Sequence, residues 1–234
     1  MSHKALICLL LILSISVLNA QEPQTFHNST DSAWYDQLLY NGTEWRPTMH
    51  LVDGHEFFLT SEFLHGSVTI EGITFNEIRM RYDICNDHII ILWKNTFPLV
   101  IDSKNVDEFT FTYNGVLRKF VNLGDKYPVI KGFAEVLYKG KSLVVVKYTK
   151  VISKNPTQVH YSEFREDTRY YFIVNGNCCQ IRNKSSFLKA MGENEIAVRK
   201  FIRQQKVFVS IVSPGGFGIA ATYFDSLPGK KRPD

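Results

Sequence analysis

The sequence predicts an α+β protein, mainly β: an antiparallel hairpin meander, barrel-like or sandwich, followed by two or three C-terminal helices packed on the sheet. Three observations carry this expectation. Short runs rich in Val, Ile, Phe, Tyr and Thr recur between two-residue corners of Asn, Asp, Glu, Lys and Gly. Residues that face each other across those corners sort into an apolar and a polar side. Beyond residue 182 the apolar spacing changes from alternate positions to every third or fourth, as a helix requires.

Residues 1–20 have the anatomy of a secretory signal peptide: Lys4, an apolar run over 5–17, and the small-residue exit Leu18-Asn19-Ala20 before Gln21. That run is shorter than the roughly 20 residues a membrane-crossing helix needs. No later segment has the length to span, so the mature chain is expected to begin near Gln21 without a transmembrane segment. Residues 21–48 are polar and aromatic with no sustained period and read as an extended lead-in.

The β-rich region is expected over residues 49–182. Around Glu71-Gly72, Val68, Ile70, Ile73 and Phe75 fall on one face, with Thr69 and Thr74 behind. A two-residue loop at Asn86-Asp87 places Ile84 opposite Ile89, Tyr82 opposite Ile91 and Met80 opposite Trp93. The other face of that hairpin carries Arg79, Arg81, Asp83, Cys85 and His88. Asn114-Gly115, the strongest short hairpin signal because both residues tolerate positive φ, groups Phe109, Phe111, Tyr113, Val116 and Phe120, with Arg118 the exception. Two more hairpins follow, through Lys139-Gly140 and through Asn175-Gly176. The first of these is apolar on both faces and reads as a central strand pair.

The helical segment is expected over residues 183–228 as part of the same domain. Ser185 or Ser186 can cap a turn carrying Phe187, Leu188 and Met191. Asn194 can cap a second helix striped by Val198, Phe201 and Ile202. Ser213-Pro214 opens a third helix that Pro228 stops. Residues 229–234 form a basic tail with Lys230, Lys231 and Arg232.

Charge says little about partners. The chain carries 27 Lys and Arg against 23 Asp and Glu; loss of residues 1–20 removes Lys4 alone and leaves +3, too small a balance to imply nucleic acid. Cys85, Cys178 and Cys179 remain after processing. Export permits a disulfide, and adjacent cysteines strain a mutual bond, so the candidate bridge is Cys85 with Cys178 or Cys179.

His50, Asp53, His55, Glu56, Glu62 and His65 form the densest group of ligand types, and His50, Asp53, His55 and His65 are the weak metal candidates. No His pair has helical spacing, and alternate strand residues point apart, so no metal is expected. Gly216-Phe217-Gly218-Ile219-Ala220-Ala221 spells a dinucleotide-type pattern after the strand-like residues 207–212, but no second βα unit or acidic residue follows. It reads as a permissive turn into the last helix, and no cofactor is expected. No G-x-S-x-G elbow is present. Arg79, Arg81 and Asp83 share a strand face and form a candidate ligand-facing patch. Asn28, Asn41 and Asn183 begin N-x-S/T sequons.

Gly54-His55-Glu56-Phe57-Phe58, Gly66-Ser67-Val68 with Gly72, and Arg81-Tyr82-Asp83 with Asp87 resemble a family of uncharacterised exported β-rich proteins of Gram-negative bacteria. Ser185-Ser186-Phe187-Leu188, Phe201-Ile202 and Tyr223-Phe224-Asp225-Ser226-Leu227 extend the resemblance to the end of the chain. It implies a place in the periplasm, the outer envelope or the extracellular space, and brings no catalytic residues. The expected function is a non-enzymatic envelope binding or accessory module for another envelope protein, a glycan or an apolar ligand. The alternative is a hydrolase-like enzyme using the segment from His50 to His65.

Overall fold

The computed structural model describes residues 29–47, 52–154 and 162–228. The chain divides into one unit over Met1–Tyr35 and another over Asp36–Asp234. In the first unit the described residues are helical, with the Trp34 ring edge-on to Tyr35 at 5.1 Å.

Among the described residues, twelve strands join one mainly antiparallel sheet that does not close. In chain order they are β1 (Gly42–Glu44), β2 (Val52–Asp53), β3 (Leu64–Ile70), β4 (Ile73–Asp83), β5 (His88–Trp93), β6 (Phe97–Ile101), β7 (Val106–Tyr113), β8 (Val116–Asn122), β9 (Phe133–Lys139), β10 (Leu143–Lys154), β11 (Ser162–Val174) and β12 (Asn177–Ile181). Across the sheet they run β1-β6-β5-β4-β3-β7-β8-β9-β10-β11-β12, and β2 pairs with β11 in parallel. The helices are α1 (Ser29–Leu39), α2 (Lys184–Lys189), α3 (Glu195–Gln204) and α4 (Gly215–Ser226), with a short 3₁₀ turn at Gly192–Asn194.

Most hairpins keep the register that their corners dictate. Glu71-Gly72, Asn114-Gly115 and Asn175-Gly176 all adopt positive φ at both positions, the tight turn whose twist matches paired strands. Val68 therefore faces Phe75, Phe109 faces Phe120, and Val174 faces Asn177. Arg118, the polar exception, pairs with Phe111 in the ladder.

The β9–β10 turn takes three residues, 140–142, with Lys139 opposite Leu143, and the β4–β5 hairpin differs as well. Tyr82 lies opposite Ile89, and Met80 opposite Ile91, so the loop has four residues rather than two. The cause is Asp83, whose Oδ1 accepts the backbone N–H groups of Cys85 and Asn86 at 2.8 and 3.0 Å. Its Oδ2 accepts from the Asn86 side chain at 2.8 Å. The displacement is an even number of residues, so it preserves the face. Met80, Tyr82, Ile84, Ile89 and Ile91 still enter one core, and only Trp93 falls outside it.

That core gathers the inner face of β3 to β9. Phe109 and Phe120 stack 4.7 Å apart, Phe133 meets Phe109 edge-on, and Phe58, carried in from the loop before β3, packs on Tyr148 at 4.4 Å. The lead-in contributes as well. Contrary to an extended reading of residues 21–48, residues 29–39 are helical, and Leu39 is buried in this core with Leu38 and Tyr40 against it.

The β9–β12 region is covered on both sides, which explains why Val144 and Val145, neighbours pointing to opposite faces of β10, are both fully buried. Val144 and Phe172 face a core with Phe187, Leu188, Val198, Ile202 and Phe217 of the helices. Val145, Tyr171 and Ile173 face Tyr127 and Ile130 of the loop before β9. Asn183, rather than Ser185 or Ser186, caps α2: its Oδ1 accepts the Ser186 N–H at 2.9 Å, and the Ser186 hydroxyl accepts the Asn183 N–H at 3.0 Å. Residues 207–212 form an irregular strap, not a strand. Gly216 and Gly218 lie inside α4; a Cβ on Gly216 would collide with the Phe208 carbonyl, so this glycine serves close helix-to-strap packing rather than a turn. Near the end of α4, Asp225 accepts from the Tyr138 hydroxyl and the Ser142 N–H, both at 2.9 Å, and fixes the helix to the β9–β10 turn.

Candidate functional site

Of the residues from His50 to His65, His50 lies outside the described residues. Asp53 is exposed on β2. The half-buried His55 ring stacks on Phe57, and its Nδ1 accepts the Phe57 N–H at 3.2 Å. Burial, then the nearby Lys150 charge, lowers the His55 pKa. His65 is exposed on β3, with Nδ1 4.0 Å from Glu77. Among the described residues, no three His, Cys, Asp or Glu side chains converge in a metal-holding group. The segment serves packing: Phe57 bridges to Asp83 and Phe58 enters the aromatic core.

Arg79, Arg81 and Asp83 do not act as one patch. Asp83 is buried and occupied by the turn amides of its own hairpin. Arg79 is half-buried opposite His65. Arg81 lies in a box of three rings, its guanidinium carbon 4.2 Å from the centre of Trp45, 4.1 Å from Phe57 and 4.5 Å from Phe63. It donates to the Ser61 carbonyl at 3.2 Å, and burial lowers its pKa. The guanidinium faces that could meet a ligand are covered by the protein's own rings.

Two carboxylate networks lie deeper. Asp87 accepts from the Tyr82 hydroxyl at 2.5 Å, from Lys147 at 2.7 Å and from the Phe133 N–H at 3.3 Å, while Lys147 also donates to the Phe133 carbonyl at 3.0 Å. Burial lowers the Lys147 pKa against the opposing pull of Asp87. Clefts of about 320 and 340 Å³ reach Asp87 from two sides. Glu135, buried, accepts from a single Arg118 nitrogen, Nη1, at both carboxylate oxygens, 2.8 and 3.2 Å, and from the Tyr148 hydroxyl at 2.6 Å. Burial, then Glu135, pushes the Tyr148 pKa far up. Each carboxylate is already matched to a cation and a phenol, so both networks read as fasteners between strands.

The bridge expected between Cys85 and Cys178 or Cys179 is not formed; all three are free, half-buried thiols. Cys85 lies in the β4–β5 turn, where burial raises its pKa. Cys178 and Cys179 occupy β12, paired with Ile173 and Phe172 in the ladder. Burial, then the neighbouring Cys179, pushes the Cys178 thiol up to about 11.

The open chemistry lies on the helices. A groove of about 680 Å³ runs along α3 and into the strap that follows it, with Lys184, Arg199, Lys200, Arg203 and Lys206 on its walls and no carboxylate among its lining residues. Val198 and Ile202 turn inward to the core, which leaves the cations outward. Two apolar side chains flank them unprotected, Ile196 at 80% exposure and Phe208 at 70%, and Val212 farther along the strap is 88% exposed. Sequence periodicity shows the inward stripe and the basic last turn of α3. It gives no sign that the strap would hold Phe208 outward, because residues 207–212 form a near-continuous apolar run that reads as a strand. Compared with protein-family models, curated proteins and solved structures, the chain matches none.

Proposed function

We propose that this is a non-enzymatic exported envelope protein, a binding module that docks through the outer face of α3 and its following strap. The observation that carries the reading is the α3 groove, with five cations and no carboxylate on its walls, between Ile196 and Phe208. A single-signed groove selects its partner by charge, and the exposed apolar side chains on either side of it add apolar contact to that electrostatic attraction. The signal-like residues 1–20 and the resemblance to exported β-rich proteins support the location. The closed hydrogen bonding around Asp87 and Glu135 supports a scaffold role for the sheet.

Photo-cross-linking tests it. A photoreactive residue at Phe208 should yield adducts in intact envelope preparations, and the same residue at Leu117, 66% exposed on β8, should not. Equal adducts from both positions, or none from Phe208, would refute a dedicated binding face.

A further inference from the structure

Resting on that reading of the α3 face, we propose that its occupant is the surface of an anionic lipid bilayer. Charge is the first argument. Roughly four to eight Lys or Arg on a helix surface is the pattern that anionic headgroups hold, and the groove presents five. Glu195 holds Arg199 across one helical turn. Among the described residues, Lys184, Lys200, Arg203 and Lys206 have no ion-pair partner.

The apolar geometry is the second argument. The apolar stripe of α3 is spent on the interior, so the helix cannot roll over and sink into a membrane. What remains outward are single protruding chains, Ile196 in the first turn and Phe208 beyond the last, on either side of the cations. A folded acidic partner would anchor such residues in pockets at the centre of a packed interface. Side chains that project beside a basic groove instead suit the soft boundary between headgroups and acyl chains. The attachment is shallow and mainly electrostatic, hence salt-sensitive.

Sedimentation of the signal-free chain with lipid vesicles tests this. It should pellet with vesicles of phosphatidylcholine and phosphatidylglycerol, and stay in solution with phosphatidylcholine alone or at about 1 M salt. Arg203→Gln with Lys206→Gln should weaken binding about thirty-fold, the loss expected for two cations at a charged bilayer. Phe208→Trp should gain a blue-shifted emission on anionic vesicles only. Equal binding to neutral vesicles, no binding to anionic ones, or unchanged affinity in the folded double variant would overturn the proposal. If that variant fails to fold, the lipid and salt series on the unmutated chain still decides. Cross-links from position 208 to a protein or glycan, with no vesicle binding, would remove the bilayer and keep the binding face; neither adducts nor vesicle binding would remove both.

Discussion

Lys147 holds its ammonium in the sheet interior, with a side chain only 13% exposed, and Asp87 is its counter-ion. Removing one partner of such a pair leaves an uncompensated charge. Asp87→Asn should cost about 2 kcal/mol at neutral pH, below the fully buried range because Asp87 is partly exposed. The Lys147 pKa is already lowered by burial, and loss of Asp87 lowers it further. Between the variant's folded value and the folded wild-type value the variant binds fewer protons than the wild type, so its stability rises faster with pH. The cost should therefore shrink toward alkaline pH in denaturant titrations; a cost that grows would contradict the pairing. Cys178 gives a second residue-scale test. A thiol moved from 9.0 to about 11 has about a hundredfold less thiolate at neutral pH. Alkylation mapped by mass spectrometry should be slowest there, and full alkylation of the unfolded, unreduced mature chain should add three labels, one per free thiol. At this scale the sequence reveals residue types but not their company. Arg81 stands out as a polar residue on a strand face, yet Trp45 and Phe63, which box it, arrive from outside its hairpin.

At the scale of elements three hairpins, at Glu71-Gly72, Asn114-Gly115 and Asn175-Gly176, were legible because one local rule, positive φ at the corner, sets both turn and register. The β4–β5 loop escaped the rule because a side chain, not the corner, decides its length. Asp83→Ala should leave the Cys85 and Asn86 amides without their acceptor and cost about 2 kcal/mol, measured as a lower urea midpoint. Gly66 makes the same point for strands. Its place opposite Phe111 puts the Cβ of any larger residue against the Thr110 carbonyl, and 2.9 Å from the Phe111 Cα. Gly66→Ala should cost at least about 2 kcal/mol through displaced β3–β7 pairing, whereas alanine at the open corner Gly115, where strain comes from φ alone, should cost about 1 kcal/mol. α1 was illegible for the opposite reason: its sequence lacks an apolar stripe, and its end is fixed by Leu39 reaching a core built from distant strands.

Across the whole molecule, the sheet holds two kinds of interior, an aromatic core under β3 to β9 and the helix-covered β9–β12 region, and β10 joins them. β9 pairs with β10 only as far as Val146, while β10 continues to Lys154 beside β11. The continuation is tied back through Lys150. Its N–H donates to the Ile84 carbonyl at 3.1 Å, and its ammonium donates to the carbonyls of His55 and Phe57 at 2.9 and 2.6 Å. One residue thus joins the long hairpin to the β4–β5 turn through its backbone, and to the segment that delivers Phe58 to the aromatic core through its side chain. Lys150→Met keeps the apolar stem and removes the donors, leaving two carbonyls short of a partner. Burial lowers the Lys150 pKa, so part of the lost bonding is offset by relief of desolvation, and the net cost should be about 1 kcal/mol. The more telling measurement is hydrogen exchange. Amides of residues 55–58 and 148–154 should lose protection together in the variant, while those of β12 and α4 keep theirs, because the helix-covered region has its own core. Loss of protection spread evenly over all strands would mean that Lys150 holds up global stability rather than the junction between the two interiors.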